Sequence, residues 1–447
     1  MMYKTPYLNT IFYFAILSLI ISCTKNLEII TDPCIEKAYD NFIEIQKDSL
    51  LHDKPSNLGV ATTLKRAQQL ARISWIPVHN VPKFSSDELF YERFKERFGI
   101  PYSLLMHTNT YVGLDVTIYT FLSAVKNPYS VIYTEDVSAP PYDGIQCAPF
   151  YGTVCSTAVW YALGIDIPYF TKFVPTLDFL ETPIISKPDS IKLCDILLSS
   201  GHMLMVYDIG RNSKSEIEKV TVFECHTSSG IDDTRFNIYT FEEFKHRWKT
   251  NSWKIYRYKY LETSIEYEDL DYIPIDSISK KEFIYNNDIC TSRGDMVSYR
   301  EGETIIINIL DTSYDYIEIY KENNLIIKQK VESNIFPIPN LPYGDYKACL
   351  SKRNSKSDFT KFEIINAEVI LEKGQLLKIN FNSHNATPQY LDLCNFKQSP
   401  QMYYSFSSDD VALKSVIVDK SKYPNANYCK VYFRGKYGRV SCVPIEI

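Results

Sequence analysis

Three side chains in the middle of this sequence could together do nucleophilic chemistry: Cys155, His202 and His226. A cysteine nucleophile needs its thiol converted to thiolate, an imidazole beside it, and a third group that fixes the imidazole's tautomer and orientation. Cys155 opens the run Tyr151–Gly152–Thr153–Val154–Cys155 to Leu163–Gly164, which reads as a short buried helix. Thr153 can cap its start, and Gly164 suits its stop. A thiol at a helix N-terminus sits in positive potential, which favours the thiolate. The competing reading is that Cys155 is a small buried hydrophobe, as most free cysteines are.

The partners come from a hairpin. Met203–Asp208 and Val220–His226 read as strands separated by a polar turn. A hairpin centred near Lys214 places His202 directly opposite His226, on the face that also carries Leu204, Val206, Val222 and Glu224. Met203, Met205, Phe223 and Cys225 fall on the other face. A one-residue slip would separate the two histidines. His226 is therefore expected to orient His202, with Glu224, two residues off the pairing, as its rival.

The elements around this hairpin follow in order. Ile11–Ile21 is an apolar run after Lys4, too short to span a bilayer, and it ends at Ser22–Cys23. This resembles the lipobox of bacterial lipoproteins. The resemblance implies cleavage before Cys23, a lipid on Cys23 and, with Thr24 following, an outer-membrane destination in the cell envelope. Residues 1–22 are then the signal peptide, and 23–60 a tether with a short helix from Cys34 to Gln46. Helical spacing is read over 61–71 and again over 86–98, where Leu89, Phe90, Phe94 and Phe98 recur. A helical patch lies near Tyr119–Val125, a helix spans Thr240–Trp248, and a strand spans Trp253–Tyr260.

Residues 263–283 are acidic and lack a period, as a linker does. Beyond about 284 short strands dominate, Asn323–Asn324 makes a hairpin turn, and Leu341–Tyr346 has the look of the turn entering the last strands of an immunoglobulin-like sandwich. Two all-β domains, 284–367 and 368–447, are expected. They follow an α+β domain at 61–262.

Net charge is −6 with no basic run, which argues against nucleic acid as a partner. Eleven cysteines include no Cys-x-x-Cys pair, so no metal site is indicated and no cofactor is expected. Cys429 and Cys442 are near enough in sequence to be a candidate disulfide.

Four places resemble the NlpC family of papain-like bacterial cell-wall cysteine peptidases. They are Gly99–Ile100–Pro101–Tyr102, Cys155–Ser156 with Ala162–Pro168, Asp195–Ile196–Leu197 with Gly201–His202, and Glu224–Ile231. The match covers roughly residues 95–260. It implies a papain-like fold, Cys155 as nucleophile, His202 as base and His226 as orienting residue. Tyr102, Ser156 and Glu224 then lie toward the substrate, a peptidoglycan stem peptide cut at a D-glutamyl–diamino acid bond. The backbone N–H of Cys155 becomes an oxyanion donor. The chain departs from the family where Asp normally precedes the cysteine and Gly follows the serine, since Val154 and Thr157 stand there. The contrasting expectation is a surface binding protein on an inactive scaffold of this kind, or an amidase of the same fold with a non-wall substrate.

Overall fold

The computed structural model describes residues 49–83, 86–103, 117–133, 151–228, 231–261, 288–338, 340–374, 376–395, 400–442 and 445–447. The signal peptide, Cys23, the 34–46 helix and the 263–283 linker lie outside the described residues. Among the described residues no helix is long and apolar enough to cross a membrane.

The N-terminal unit is built on one antiparallel sheet. Its elements are α1 (Leu58–Arg72), β1 (Val81–Lys83), β2 (Ser86–Tyr91), α2 (Ile118–Lys126), α3 (Cys155–Leu163), β3 (Ile196–Leu198), β4 (Met203–Arg211), β5 (Ile217–Ser228), β6 (Ile231–Thr240), α4 (Phe241–Asn251) and β7 (Lys254–Tyr258). The strand order is β6-β5-β4-β3-β7, with Leu180–Glu181 added beyond β7.

The period-two pattern of β4 and β5 decides which helix covers which face. Met203, Met205, Phe223 and Cys225 share a core with α1 and α3. Leu204, Val206, Val220 and Val222 share another with Phe244 and Trp253, under α4. Each strand is thus apolar on both sides, as a sheet covered on both faces requires. α3 is apolar all round, and every one of its residues is buried. It ends where Gly164 takes a left-handed conformation (φ 71°).

The expected 86–98 helix is not formed. Ser86–Tyr91 is a strand paired with Val81–Lys83, and Arg97–Phe98 pairs with Ser74–Trp75. Phe94, which supplied part of the helical spacing, is exposed and left-handed (φ 62°). Tyr91 instead buries its ring against Trp75, at 5.2 Å between centroids.

Two all-β units follow, each a pair of facing sheets around its own core. In the first, Ile289–Thr291, Ile305–Ile309 and Ile335–Ile338 face a larger sheet containing Tyr316–Lys321, Gly344–Lys352 and Thr360–Ile365. In the second, Ala367–Glu372, Leu376–Ser383 and Ser415–Asp419 face Thr387–Cys394, Pro400–Ser405 and Tyr428–Arg434. Cys429 and Cys442 are both free and buried, so the candidate disulfide is not made.

Both units dock on the N-terminal one through specific hydrogen bonds. Asn127, which follows α2, donates to Thr291 O (3.2 Å) and to Asn308 Oδ1 (2.9 Å). The Tyr151 hydroxyl donates to the Arg293 carbonyl. In the last unit, Arg434 Nη2 stands 3.1 Å from Asp166 Oδ1, and Arg439 Nη2 donates to the Asp166 carbonyl. Asp166 lies just beyond the C-terminal end of α3.

Candidate active site

Cys155 is the first residue of α3, so its N–H has no partner within the helix. The turn before it is held from several sides. Val154 N donates to Thr157 Oγ1 (2.9 Å), and Thr157 in turn bonds Thr153 Oγ1 (2.6 Å). The expected cap by Thr153 is not made: Val154 occupies the cap position, and the Thr153 hydroxyl meets the Thr157 hydroxyl rather than a backbone N–H. Cys225 Sγ donates to Thr153 O (3.2 Å), which ties β5 to the same turn.

The Gly99–Tyr102 segment lies alongside. Thr153 N donates to Pro101 O (2.9 Å), Ser103 N to Thr153 O (3.1 Å), and Tyr102 N to the Asp232 carbonyl (2.7 Å). Two glycines permit this approach. A Cβ on Gly99, at φ +80°, would sit 2.2 Å from Thr234 O, and one on Gly152 would sit 2.4 Å from Ser103 Cβ. Tyr102 is thereby brought next to the thiol. Burial, and then the charges of Cys155, Cys225 and Asp232, hold its hydroxyl well above the ordinary tyrosine range.

The candidate base, His202, comes from the hairpin. Pairing of β4 with β5 has the expected register at Met205/Phe223 and Val206/Val222. A bulge at Tyr207 shifts it by one residue, and a second irregularity after Gly210 restores it. β5 outruns β4, which begins at Met203. His202 stands one residue before that start, after Gly201 in a left-handed turn (φ 87°), and its ring occupies the space beside the overhanging part of β5.

There it meets Glu224, with His202 Nε2 at 2.6 Å from Glu224 Oε2. With Nε2 taken, Nδ1 is the ring nitrogen left for Cys155. Burial disfavours charge on His202, but hydrogen bonds and charge from Cys155 and Glu224 outweigh it and push its pKa up to about 9. Burial likewise opposes charge on Glu224. The hydrogen bond and charge of His202, with charge from His226 and Arg235, hold its carboxyl below the ordinary value.

Asn237, two residues along β6 from Arg235, donates to the second Glu224 oxygen. Arg235 is the β6 residue directly opposite Glu224. Neither residue was singled out in the sequence, although polar Arg235 and Asn237 alternate with Phe236 and Ile238 as a strand covering a core requires.

His226 does not fill the orienting role expected of it. Its ring meets His202 edge-on, with centroids 4.8 Å apart and planes at 84°. Its Nδ1 is buried with no hydrogen-bond partner among the described residues. Burial above all, opposed by the charge of Glu224 and aided by those of His202 and Arg235, lowers its pKa. The hairpin does bring the two histidines together, but the hydrogen bond belongs to Glu224. Glu224 is correspondingly buried and committed to His202 rather than facing substrate. Ser156 is also buried, within α3.

Taken together, a thiol on a helix tip, an imidazole beside it and a buried carboxylate behind the imidazole form a Cys–His–Glu constellation of the kind that supports nucleophilic acyl transfer. Among the described residues no group of three or more His, Cys, Asp or Glu could hold a metal ion. His52 bonds Asp208 at 2.8 Å, far along β4 from the site.

No protein-family model matches the chain, and no curated protein matches it. Among solved structures, the chain is similar to the CD2-binding domain of CD58 (9% identity, TM-score 0.19, 34% of this chain and 95% of that one). It is also similar to domains 3 and 4 of rat CD4 (11%, TM-score 0.22, 34% and 98%). A third similarity is to fibronectin(III)-like modules of Clostridium thermocellum CbhA (13%, TM-score 0.17, 33% and 85%).

Proposed function

We propose that the protein is a papain-like cysteine hydrolase of the NlpC type, anchored by lipid on Cys23 in the bacterial cell envelope. Its proposed reaction is cleavage of an amide bond in peptidoglycan stem peptides, of the D-glutamyl–diamino acid kind. The observation that carries this reading is the pairing of Cys155 with a His202 that is itself held by buried Glu224.

In the proposed reaction the Cys155 thiolate attacks the scissile carbonyl carbon. The oxyanion meets the Cys155 N–H at the helix tip, where the dipole favours negative charge, with Tyr102 close by. His202, protonated, gives its Nδ1 proton to the leaving amine as the C–N bond breaks. It then takes a proton from water, whose oxygen attacks the thioester and frees Cys155. Glu224 keeps the imidazole in the orientation that points Nδ1 at sulfur.

The test is release of fragments from purified muropeptides by the full chain, beside Cys155→Ala. Cleavage by the wild type and none by the variant is expected. Equal activity of the two overturns the reading. Selective labelling of Cys155 over the other cysteines by a thiol probe at neutral pH distinguishes an active site from an inert scaffold.

A further inference from the structure

The contact between the first all-β unit and the N-terminal one is centred on a single turn, residues 291–296. Thr120 Oγ1, in α2, donates to Met296 O (2.7 Å), and Asp295 N donates to Ser123 Oγ of the same helix (2.7 Å). Just beyond α2, Val131 N and Ser130 Oγ both donate to Ser292 O, at 3.0 Å each. With Asn127 on the Thr291 carbonyl and Tyr151 on that of Arg293, four carbonyls of one turn are tied to the N-terminal unit.

The approach depends on Gly294. Its φ is +108°, and a Cβ there would sit 2.3 Å from the Thr120 carbonyl oxygen. Thr120, Asn127, Ser130, Thr291 and Ser292 are all buried, so these bonds lie inside the joint rather than at its rim. A buried polar network whose members are paired stiffens what it joins. A mere spacer has no need of such a joint, since units linked by a small polar contact move relative to one another by default.

The turn grips Tyr151 along with α2. Tyr151 is fully buried, and its ring lies 6.2 Å from that of Phe121 in α2. Its hydroxyl end is fixed by the turn, and its backbone end opens Gly152–Thr153–Val154, the stretch that delivers Cys155. Pro101 O and Cys225 Sγ hold Thr153 to the sheet side of that stretch. The Tyr151 hydroxyl is the contact that reaches the sandwich. We infer that the first all-β unit is a working part of the cysteine site: its 291–296 turn, through Tyr151, sets the position from which Cys155 meets His202. Tyr151 is thus a positioning residue, a role that rests on the reading of Cys155 as nucleophile.

A thiol and an imidazole tolerate little misplacement. An error of about 1 Å can cost on the order of 10²-fold in rate. A thiol that loses its imidazole and its helix tip returns toward the ordinary, mostly protonated state. Loosening the turn should therefore slow the reactions of Cys155 and move them to higher pH.

Alkylation of Cys155 by iodoacetamide as a function of pH, and amide hydrogen exchange across residues 151–163, are the measurements, both on the full chain. Tyr151→Phe removes only the hydroxyl. Gly294→Ala drives a Cβ into the Thr120 carbonyl, whereas Gly302→Ala, in the same unit at φ +88° with open space around it, carries backbone strain alone. In Tyr151→Phe and Gly294→Ala, alkylation at neutral pH is expected to slow roughly fivefold or more, its pH midpoint to rise, and exchange at 151–155 to quicken. Gly302→Ala is expected to match the wild type in all three. A contact that only stabilises would lower the unfolding midpoint and leave rate, pH midpoint and local exchange unmoved. That result overturns the inference, as does an equal response in Gly302→Ala or a wild-type Cys155 no more reactive than the other buried cysteines. Absence of muropeptide cleavage by the wild type, with alkylation and exchange responding as expected, rejects the proposed reaction and leaves the positioning role standing. Cleavage by the wild type with both readouts unmoved in the variants does the reverse.

Discussion

His202 Nε2 lies 2.6 Å from Glu224 Oε2, whereas His226 touches the same imidazole only edge-on, its ring centre 4.8 Å away. The two neighbours of the base are thus unequal. One accepts a hydrogen bond through a buried, negatively charged oxygen, and the other packs edge-on against the ring. A charge-assisted bond of this length is about twice as strong as a neutral one.

Glu224→Gln should therefore damage turnover far more than His226→Ala. Loss of an orienting partner is expected to lower kcat on the order of 10²-fold or more. The carboxylate also raises the His202 pKa, so in Glu224→Gln the alkaline limb of the pH profile should move down from about 9. His226→Ala should leave that limb near its original position. Profiles of the two variants that shift equally would contradict the assignment.

The same pair should show in stability. The folded-state pKa of His202 is raised from 6.5 to about 9. Its contribution is then fully present below about pH 6.5 and lost as pH rises through about 9. Urea unfolding of wild type and His202→Gln between pH 6 and 10 checks this. The stability gap between them should narrow steadily across that window, and a gap that widens with pH would have the wrong sign.

Gly99→Ala should be more damaging than its size suggests. The position is left-handed, and the new Cβ would fall 2.2 Å from Thr234 O, a backbone atom. Such a change is expected to cost more than about 1 kcal/mol. Because the segment it starts carries Tyr102 beside Cys155, kcat should fall together with the urea midpoint. Gly302→Ala, also left-handed but with open space around it, is the control for backbone strain alone.

Asp166→Ala removes the carboxylate 3.1 Å from Arg434 and 3.7 Å from the fully buried Arg439, which keeps Gln389 Oε1 and the backbone carbonyl of residue 166. Loss of these charge-assisted contacts is expected to cost about 1.5 kcal/mol. Limited proteolysis should then cut between the N-terminal unit and the last sandwich at protease levels that spare the wild type. An unchanged digestion pattern would show that Asp166 does not hold the two together.

Much of the site could be read from residue types. The α3 helix, its glycine stop, the faces of β4 and β5, and the neighbourhood of His202 and His226 all follow from local pattern and a simple hairpin. Glu224 as the bonded partner does not, because strict alternation across the hairpin assumes that His202 lies within the ladder. It lies one residue outside, where the ring is free of the pairing and reaches the carboxylate two positions back. The Tyr207 bulge is invisible for a similar reason, since its two register shifts cancel at the ends. The 86–98 stretch failed differently. Leu89, Phe90, Phe94 and Phe98 have helical spacing, but Tyr91 gains more from burial against Trp75 and Val81 than a helix would offer it. The β domains were legible from short strands and turns, while their docking on Asn127 and Asp166 depends on contacts between residues far apart in sequence.

That docking on Asp166 has a mechanical consequence. With the proposed lipid anchor on Cys23, tension on the C-terminal strands would pass through Arg434 and Arg439 into the residue just beyond α3. The proposed nucleophile, Cys155, sits at the opposite end of that same short helix. A pull on the last sandwich would thus be felt along the helix axis at Cys155, and under the proposed reaction it would bear on the attacking thiol.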